Sequence, residues 1–237
     1  DDGAPAPIYQ ELDLVLRAVR DLLSDDVDRM LVDTPEAYER AAAFATTFSP
    51  AHRTRIELFA RDEPIFDSFG IEQEIDRALA KKVFLKSGGS LVIDEGEALT
   101  AIDVNTGRFV GKRNLEETIT KNNLEACREV AQQLRLRNLG GIVVVDFIDM
   151  EDPQNREKVR ERLESELKYD RHRSKVGNVS ELGLVEMTRK RTSESLVRSL
   201  TAPCFYCEGK GYLKSAATVA FEVLREIRRR ADDRAGD

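Results

Sequence analysis

Two short runs hold the residues best suited to chemistry. "LTAIDVNTG" places Asp103, and two positions on Asn105, at the end of an alternating apolar run; "GGIVVVDFIDM" places Asp146 at the end of another. Two carboxylates brought close together resist joint ionisation unless they share a proton or bind a cation. A hard divalent ion meets that need best, because Mg²⁺ takes one or two carboxylates, keeps several waters and works on phosphates. Residues two apart on a strand face the same side, so the Asn105 amide can orient a ligand or a water beside Asp103. Asp149 sits at an odd offset from Asp146 and falls on the other face if that strand continues. Aspartates after apolar runs also serve as helix caps and turn formers, and these residues by themselves leave that reading open.

A third motif is Cys204-Phe205-Tyr206-Cys207, followed by Gly209 and Gly211. Two thiolates at this spacing form half of a zinc knuckle. A second copy of the chain could supply the other two ligands, making zinc a staple between protomers. A reduced pair that binds nothing and a redox pair are the alternatives. The remaining cysteine, Cys127, falls on the apolar side of an expected helix and reads as core. Three cysteines, two of them in this motif, favour a reducing, cytoplasmic setting over a disulfide framework. The two histidines, His52 and His172, are far apart, so a histidine-based nuclease, a His-rich metal site or a Ser-His-Asp triad finds no support. No Gly-x-x-x-x-Gly-Lys-Ser/Thr loop is present to cradle a nucleotide triphosphate.

The chain has 237 residues, 41% of them hydrophobic and 34% charged, with a formal net charge of −7. That length supports one large domain or two small ones. No apolar run reaches the ~20 residues of a membrane span, and the start carries neither a basic n-region nor an apolar h-region. Without an initiator Met, the sequence is expected to be a piece of a longer chain. Charge is uneven: residues 171–214 hold nine Lys and Arg against four Glu. A basic segment in an acidic chain suits a face that meets a polyanion, or equally a solvated helix face.

The elements that would position these residues follow from periodicity. Helices are expected over 11–23, from the Thr34 cap and Pro35 to Phe48, around 71–79, from an Asn114 cap to about 138, over 155–169 and over 215–230. Strands are expected over 27–32, 55–59, 91–93, 98–104 and 142–145, with a hairpin turn at 94–97 and a strand-like run, "NVSELGLVEM", at 178–187. Ile142 to Val145 is apolar at every position, the pattern of a central strand covered on both faces. The result is a mixed α/β (α+β) chain.

Four segments in order, "GGSLVIDEGEALTAIDVNTGRF", "NLEACREVAQQLRLRNLGGIVVVDFIDM", "LGLVEMTRKRTSESL" and "CFYCEGKGY", resemble the ribonuclease E/G family of bacterial endoribonucleases, on its G side. The resemblance runs from about Ile8 to the last helix. It implies part of a ribonuclease-H-like subdomain at 1–85 and a deoxyribonuclease-I-like catalytic subdomain at 86–200. A zinc link at 201–214 and the start of a small dimerisation domain at 215–237 would follow. It further implies that Asp103 and Asp146 hold a catalytic Mg²⁺ assisted by Asn105, and that Cys204 and Cys207 share Zn²⁺ with a second protomer in a homodimer. Arg173, in "DRHR", matches an arginine that helps recognise an RNA 5′-monophosphate; Arg189, Lys190 and Arg191 are further candidate RNA contacts. The implied function is Mg²⁺-dependent cleavage of single-stranded RNA in rRNA processing and mRNA decay. Phe205 stands where the family's zinc link usually has proline, a position that supplies no ligand. No S1-type RNA-binding domain occurs in the sequence, and most of the 5′-end pocket is expected to be missing. The alternatives are a non-catalytic zinc-linked scaffold and a zinc-ribbon RNA binder.

Overall fold

The computed structural model describes residues 13–107 and 115–235, without the side chains of 232–235. The expected Asn114 cap and residues 11 and 12 of the first expected helix lie outside the described residues. The chain divides into two compact units, Asp1–Arg77 and Ala78–Asp237.

In the first unit, α1 (Leu14–Leu22) starts on Asp13, whose carboxylate accepts the Leu16 N–H at 2.9 Å. Strand β1 (Met30–Val32), helix α2 (Pro35–Phe48) and strand β2 (Ile56–Leu58) form a β-α-β unit whose two strands pair in parallel. Pro35 opens α2 as expected, but the Thr34 hydroxyl makes no capping bond; its carbonyl accepts the Tyr38 N–H instead. Val19, Leu23, Val32, Ala41, Ala45 and Ile56 make the core. The short α3 (Ile65–Ser68) and α4 (Ile71–Leu79) follow.

The second unit is, among the described residues, a six-stranded sheet with four helices, two of which pack on it. Its elements are β3 (Lys82–Phe84), β4 (Ser90–Glu95), β5 (Leu99–Asn105), α5 (Leu115–Leu136), β6 (Gly141–Asp146), α6 (Pro153–Leu167), β7 (Ser174–Val179), β8 (Leu184–Arg189), α7 (Leu196–Leu200) and α8 (Ala216–Ala235). The strand order is β3-β4-β5-β6-β8-β7, and only β5 and β6 run parallel. The β4–β5 hairpin turns at the expected place, with the Gly96 N–H on the Leu99 carbonyl. Leu91, Ile93, Ile102 and Val104 of the hairpin and Val143, Val145 and Val185 of the other strands bury against Ala126, Cys127, Val130 and Leu134 of α5 and Val159 and Leu163 of α6.

Strand β3 is the edge strand of this sheet. Three expectations change. "NVSELGLVEM" is not one strand but the end of β7, a turn at 180–183 and the start of β8, with Gly183 at φ +78. Strand β6 is central, but it alternates: Val143 and Val145 are fully buried while Ile142 is 51% exposed. Its apolar run is therefore covered on one face only by the described residues. At the end of α5 the left-handed position is filled by Asn138, φ +50, rather than by the glycines that follow.

Candidate active site

The parallel pairing of β5 and β6 decides the site. Parallel strands need a crossover, here through α5, and both then deliver their C-terminal ends to the same edge of the sheet. The register pairs Asp103 with Asp146 directly. Ala101, Asp103 and Asn105 alternate with the buried Ile102 and Val104, so the two aspartates and Asn105 lie together on the open face. Such strand ends are where open α/β sheets bind ligands.

Three observations describe the electrostatics. The Asn105 amide donates to Asp103 Oδ2 at 2.6 Å, fixing that carboxylate's orientation. Burial first, and then the charges of Asp103 and Asp149, push the Asp146 carboxyl above its ordinary value. Asp149 is thus near Asp146 rather than across the sheet, because β6 ends at Asp146 and the chain turns. Gly183 sits against that turn: it accepts the Phe147 N–H at 3.2 Å, and a Cβ on it would come within 2.6 Å of the Phe147 carbonyl oxygen. On the other side, a Cβ on Gly107 would lie 2.5 Å from the Gly88 oxygen, so the "GG" turn after β3 packs closely on the segment leaving Asn105.

A divalent ion fits this donor set. Two neighbouring carboxylates, one of them resisting ionisation through burial and then the charge of the other, are stabilised by a shared cation, and a Mg²⁺ site needs no more protein ligands than these. Among the described residues no group of three or more His, Cys, Asp and Glu is poised to hold a metal.

Cys204 and Cys207 occupy an exposed turn outside both cores. Backbone hydrogen bonds from Cys207 and then Tyr206, with a further bond from the Cys207 side chain, hold the Cys204 thiol below its ordinary value. That favours a thiolate, the form zinc binds. The pair fits half of a tetrahedral zinc site and no more. Cys127 is different: burial pushes its thiol up, and it donates to the Val159 carbonyl as a core residue.

The basic candidates lie elsewhere. Arg189 pairs with Gly141 at the start of β6, five residues from Asp146, or about 16 Å along the strand. Arg189 is buried, with its guanidinium on both oxygens of Asp170, the Leu139 carbonyl and His172 Nδ1, so its side chain is engaged within the fold. It faces inward because strand neighbours alternate; Lys190 is exposed, and Arg191 is exposed while reaching back to the Gly140 carbonyl at 2.9 Å. Arg173 is exposed at the same end, and its carbonyl accepts the Lys190 N–H. His172 bridges Arg189 and Thr192 Oγ1.

Sequence reasoning missed Asp170, Gly183 and the polar side chains of α5 that hold the loop after β6. Glu116 accepts the Glu151 and Asp152 N–H groups and the Asn155 amide, and Asn123 pairs with Ile148. Asn123 carried a signal, since it lies one turn before Cys127 on a stripe already read as buried.

A sequence profile of the ribonuclease E/G family matches residues 1–192. The chain is 48% identical over 220 residues to Ribonuclease G of Escherichia coli strain K12, covering 93% of this chain and 45% of that protein. It is 45% identical over 220 residues to Ribonuclease G of Haemophilus influenzae, with the same coverage. To Ribonuclease E of Escherichia coli strain K12 it is 40% identical over 233 residues, 97% of this chain and 22% of that protein. The chain therefore spans less than half the length of the curated relatives it matches. With its profile match and these relatives in agreement, the chain belongs to the ribonuclease E/G family.

Proposed function

We propose that this chain carries the hydrolytic centre of an endoribonuclease that cuts single-stranded RNA. The carrying observation is the register match of Asp103 and Asp146 on the open face, with Asn105 bonded to the first. Asp103 and Asp146 would hold Mg²⁺. When bound, such an ion supplies Lewis-acid neutralisation of charge at the scissile phosphate and a water acidic enough to attack it. Asn105 keeps the Asp103 carboxylate turned for that task. The open, shallow face accepts an extended strand and leaves the sheet's hydrophobic face undisturbed.

In this reading residues 86–200 form a deoxyribonuclease-I-like subdomain following part of a ribonuclease-H-like one. Cys204 and Cys207 share zinc with a second protomer, and 215–237 begins a dimerisation domain. Support for the zinc comes from the lowered Cys204 thiol and from the Cys204-x-x-Cys207 spacing. Arg173, Lys190 and Arg191 are the exposed cations that would meet RNA phosphates, Arg173 toward a 5′-monophosphate; Arg189 is not among them. The proposed setting is cytoplasmic turnover of mRNA and maturation of rRNA. Among the described residues no helix is long and apolar enough to cross a membrane.

The test is cleavage of a short A/U-rich, 5′-monophosphorylated single strand by the whole protein, with Mg²⁺ and with EDTA. Cutting that requires Mg²⁺ and disappears in Asp103→Asn supports the reading; cutting at the normal rate by Asp103→Asn refutes it.

A further inference from the structure

The ladder of β6 ends at Asp146, so the loop 147–152 has no strand to hold it, although it begins at one proposed ion ligand and carries Asp149. Helix α5 holds it instead. Asn123, 0% exposed, donates from Nδ2 to the Ile148 carbonyl at 2.8 Å and accepts the Ile148 N–H on Oδ1 at 3.1 Å. Both polar groups of the amide are used on one residue, two positions after Asp146 and one before Asp149. The opposite orientation of the amide would set donor against donor, so the pairing is specific. Two turns earlier on the same helix, Glu116 accepts the Glu151 and Asp152 N–H groups. From the other side the Gly183 carbonyl takes the Phe147 N–H.

The hydrophobic anchoring of this loop is already complete without Asn123. Phe147 and Met150 are buried in the core on either side. An apolar residue at 123 would pack on the same stripe as Cys127. The amide adds something packing does not: it fixes the peptide of residue 148 in direction as well as depth. Helix α5 is also the crossover from β5 to β6. Asn123 thus ties the helix that follows Asp103 to the loop that follows Asp146, from the buried side of the sheet.

We propose that Asn123 is a positioning residue of the two-aspartate centre, fixing the course of the chain that leaves Asp146 through the peptide of Ile148. This rests on the reading of those aspartates as ion ligands. Residues that orient ligands from behind typically change metal affinity about 10- to 100-fold when lost.

The experiment measures Mn²⁺ binding by water-proton relaxation, and kcat and KM on the RNA strand, in the whole protein. Asn123→Leu keeps the size and loses both bonds; Asn123→Asp keeps the acceptor, loses the donor and sets a carboxylate against the Ile148 carbonyl. Both are expected to weaken Mn²⁺ binding about 10- to 100-fold and to lower kcat at subsaturating metal, with KM for RNA unchanged. Val159→Ala, a lesion in the same core away from the loop, is the control for a merely structural effect and is expected to bind Mn²⁺ as the wild type does. Wild-type Mn²⁺ affinity in Asn123→Leu overturns the inference, as does an equal loss in Val159→Ala. If Asn123→Leu fails to fold, Asn123→Asp decides on the same criterion. Asp103→Asn separates the two levels: if it binds Mn²⁺ like the wild type, the ion-site reading falls and takes this inference with it. If it loses the ion while the Asn123 variants keep it, only the inference falls.

Discussion

At one end of β6, Asp146 stands beside Asp103 on an open face, and no described cation is paired with either. At the other end, Gly141 stands beside Arg189, whose guanidinium is bonded to the buried Asp170 and to a backbone carbonyl. The same strand therefore carries charge in two arrangements. At the Arg189 end, burial pushes the Asp170 carboxyl up, but hydrogen bonds from Arg189 and the His172 N–H, with the charges of both residues, leave it below its ordinary value. At the Asp146 end, burial and like charge leave the carboxyl raised. The ion pair at the Arg189 end holds the fold; at the other end the proposed reading has the two carboxylates share a cation. Perturbed groups left without a partner mark functional sites for this reason.

Breaking the comparison begins with its largest effect. Asp103→Asn or Asp146→Asn is expected to lower cleavage at least ~10³-fold, about 4 kcal/mol of barrier, with folding intact. Single-turnover kinetics on the RNA strand check this. Arg189→Met reverses the outcome: it strands Asp170, whose side chain is 2% exposed, and is expected to lower stability by about 3–5 kcal/mol while each folded molecule still cleaves. Denaturant unfolding with activity normalised to folded protein reads it.

The two ends should also differ in sign. Asp146 has a raised folded value, so its charge opposes folding at neutral pH. Asp146→Asn without metal is expected to raise stability, by no more than about 1 kcal/mol for so exposed a group. Asp170 has a depressed folded value. Its contribution is fully present above the unfolded value of about 3.9 and is lost as pH falls through the lower folded value. Unfolding midpoints followed down through that window should fall less steeply in Asp170→Asn than in the wild type.

Away from the sheet, the zinc-link proposal predicts that Cys207→Ser binds no zinc and loses the protomer contact without lowering the unfolding midpoint of the core. Metal analysis and sedimentation test this pair of outcomes. The smallest effect belongs to Lys190→Ala, expected to weaken RNA binding uniformly and reduce the salt slope by about one.

Much of this was legible in the sequence where local pattern suffices. The alternation through Asp103 and Asn105 gave their shared face, whereas the parallel pairing that brings Asp146 alongside is a long-range contact that no local pattern carries. The far end was not legible. Arg189 sits in "RKR", a string that looks like a polyanion patch, and only its partner Asp170, brought over by the chain reversal after α6, turns it inward. Asn123 was hidden differently, since a buried amide needs a known partner peptide before its role can be read. The apolar run of β6 misled because it matches a strand covered on both faces, whereas its open face carries Ile142 and Val144 toward the site's side of the sheet.

The most direct test is Mn²⁺ binding and RNA cleavage measured together in wild type, Asp103→Asn, Asp146→Asn and the double variant. Two carboxylates sharing one ion predict that each single variant loses both the ion and cleavage, and that the double variant is no worse than either single one. Either single variant that keeps the ion and cuts at the wild-type rate contradicts the account.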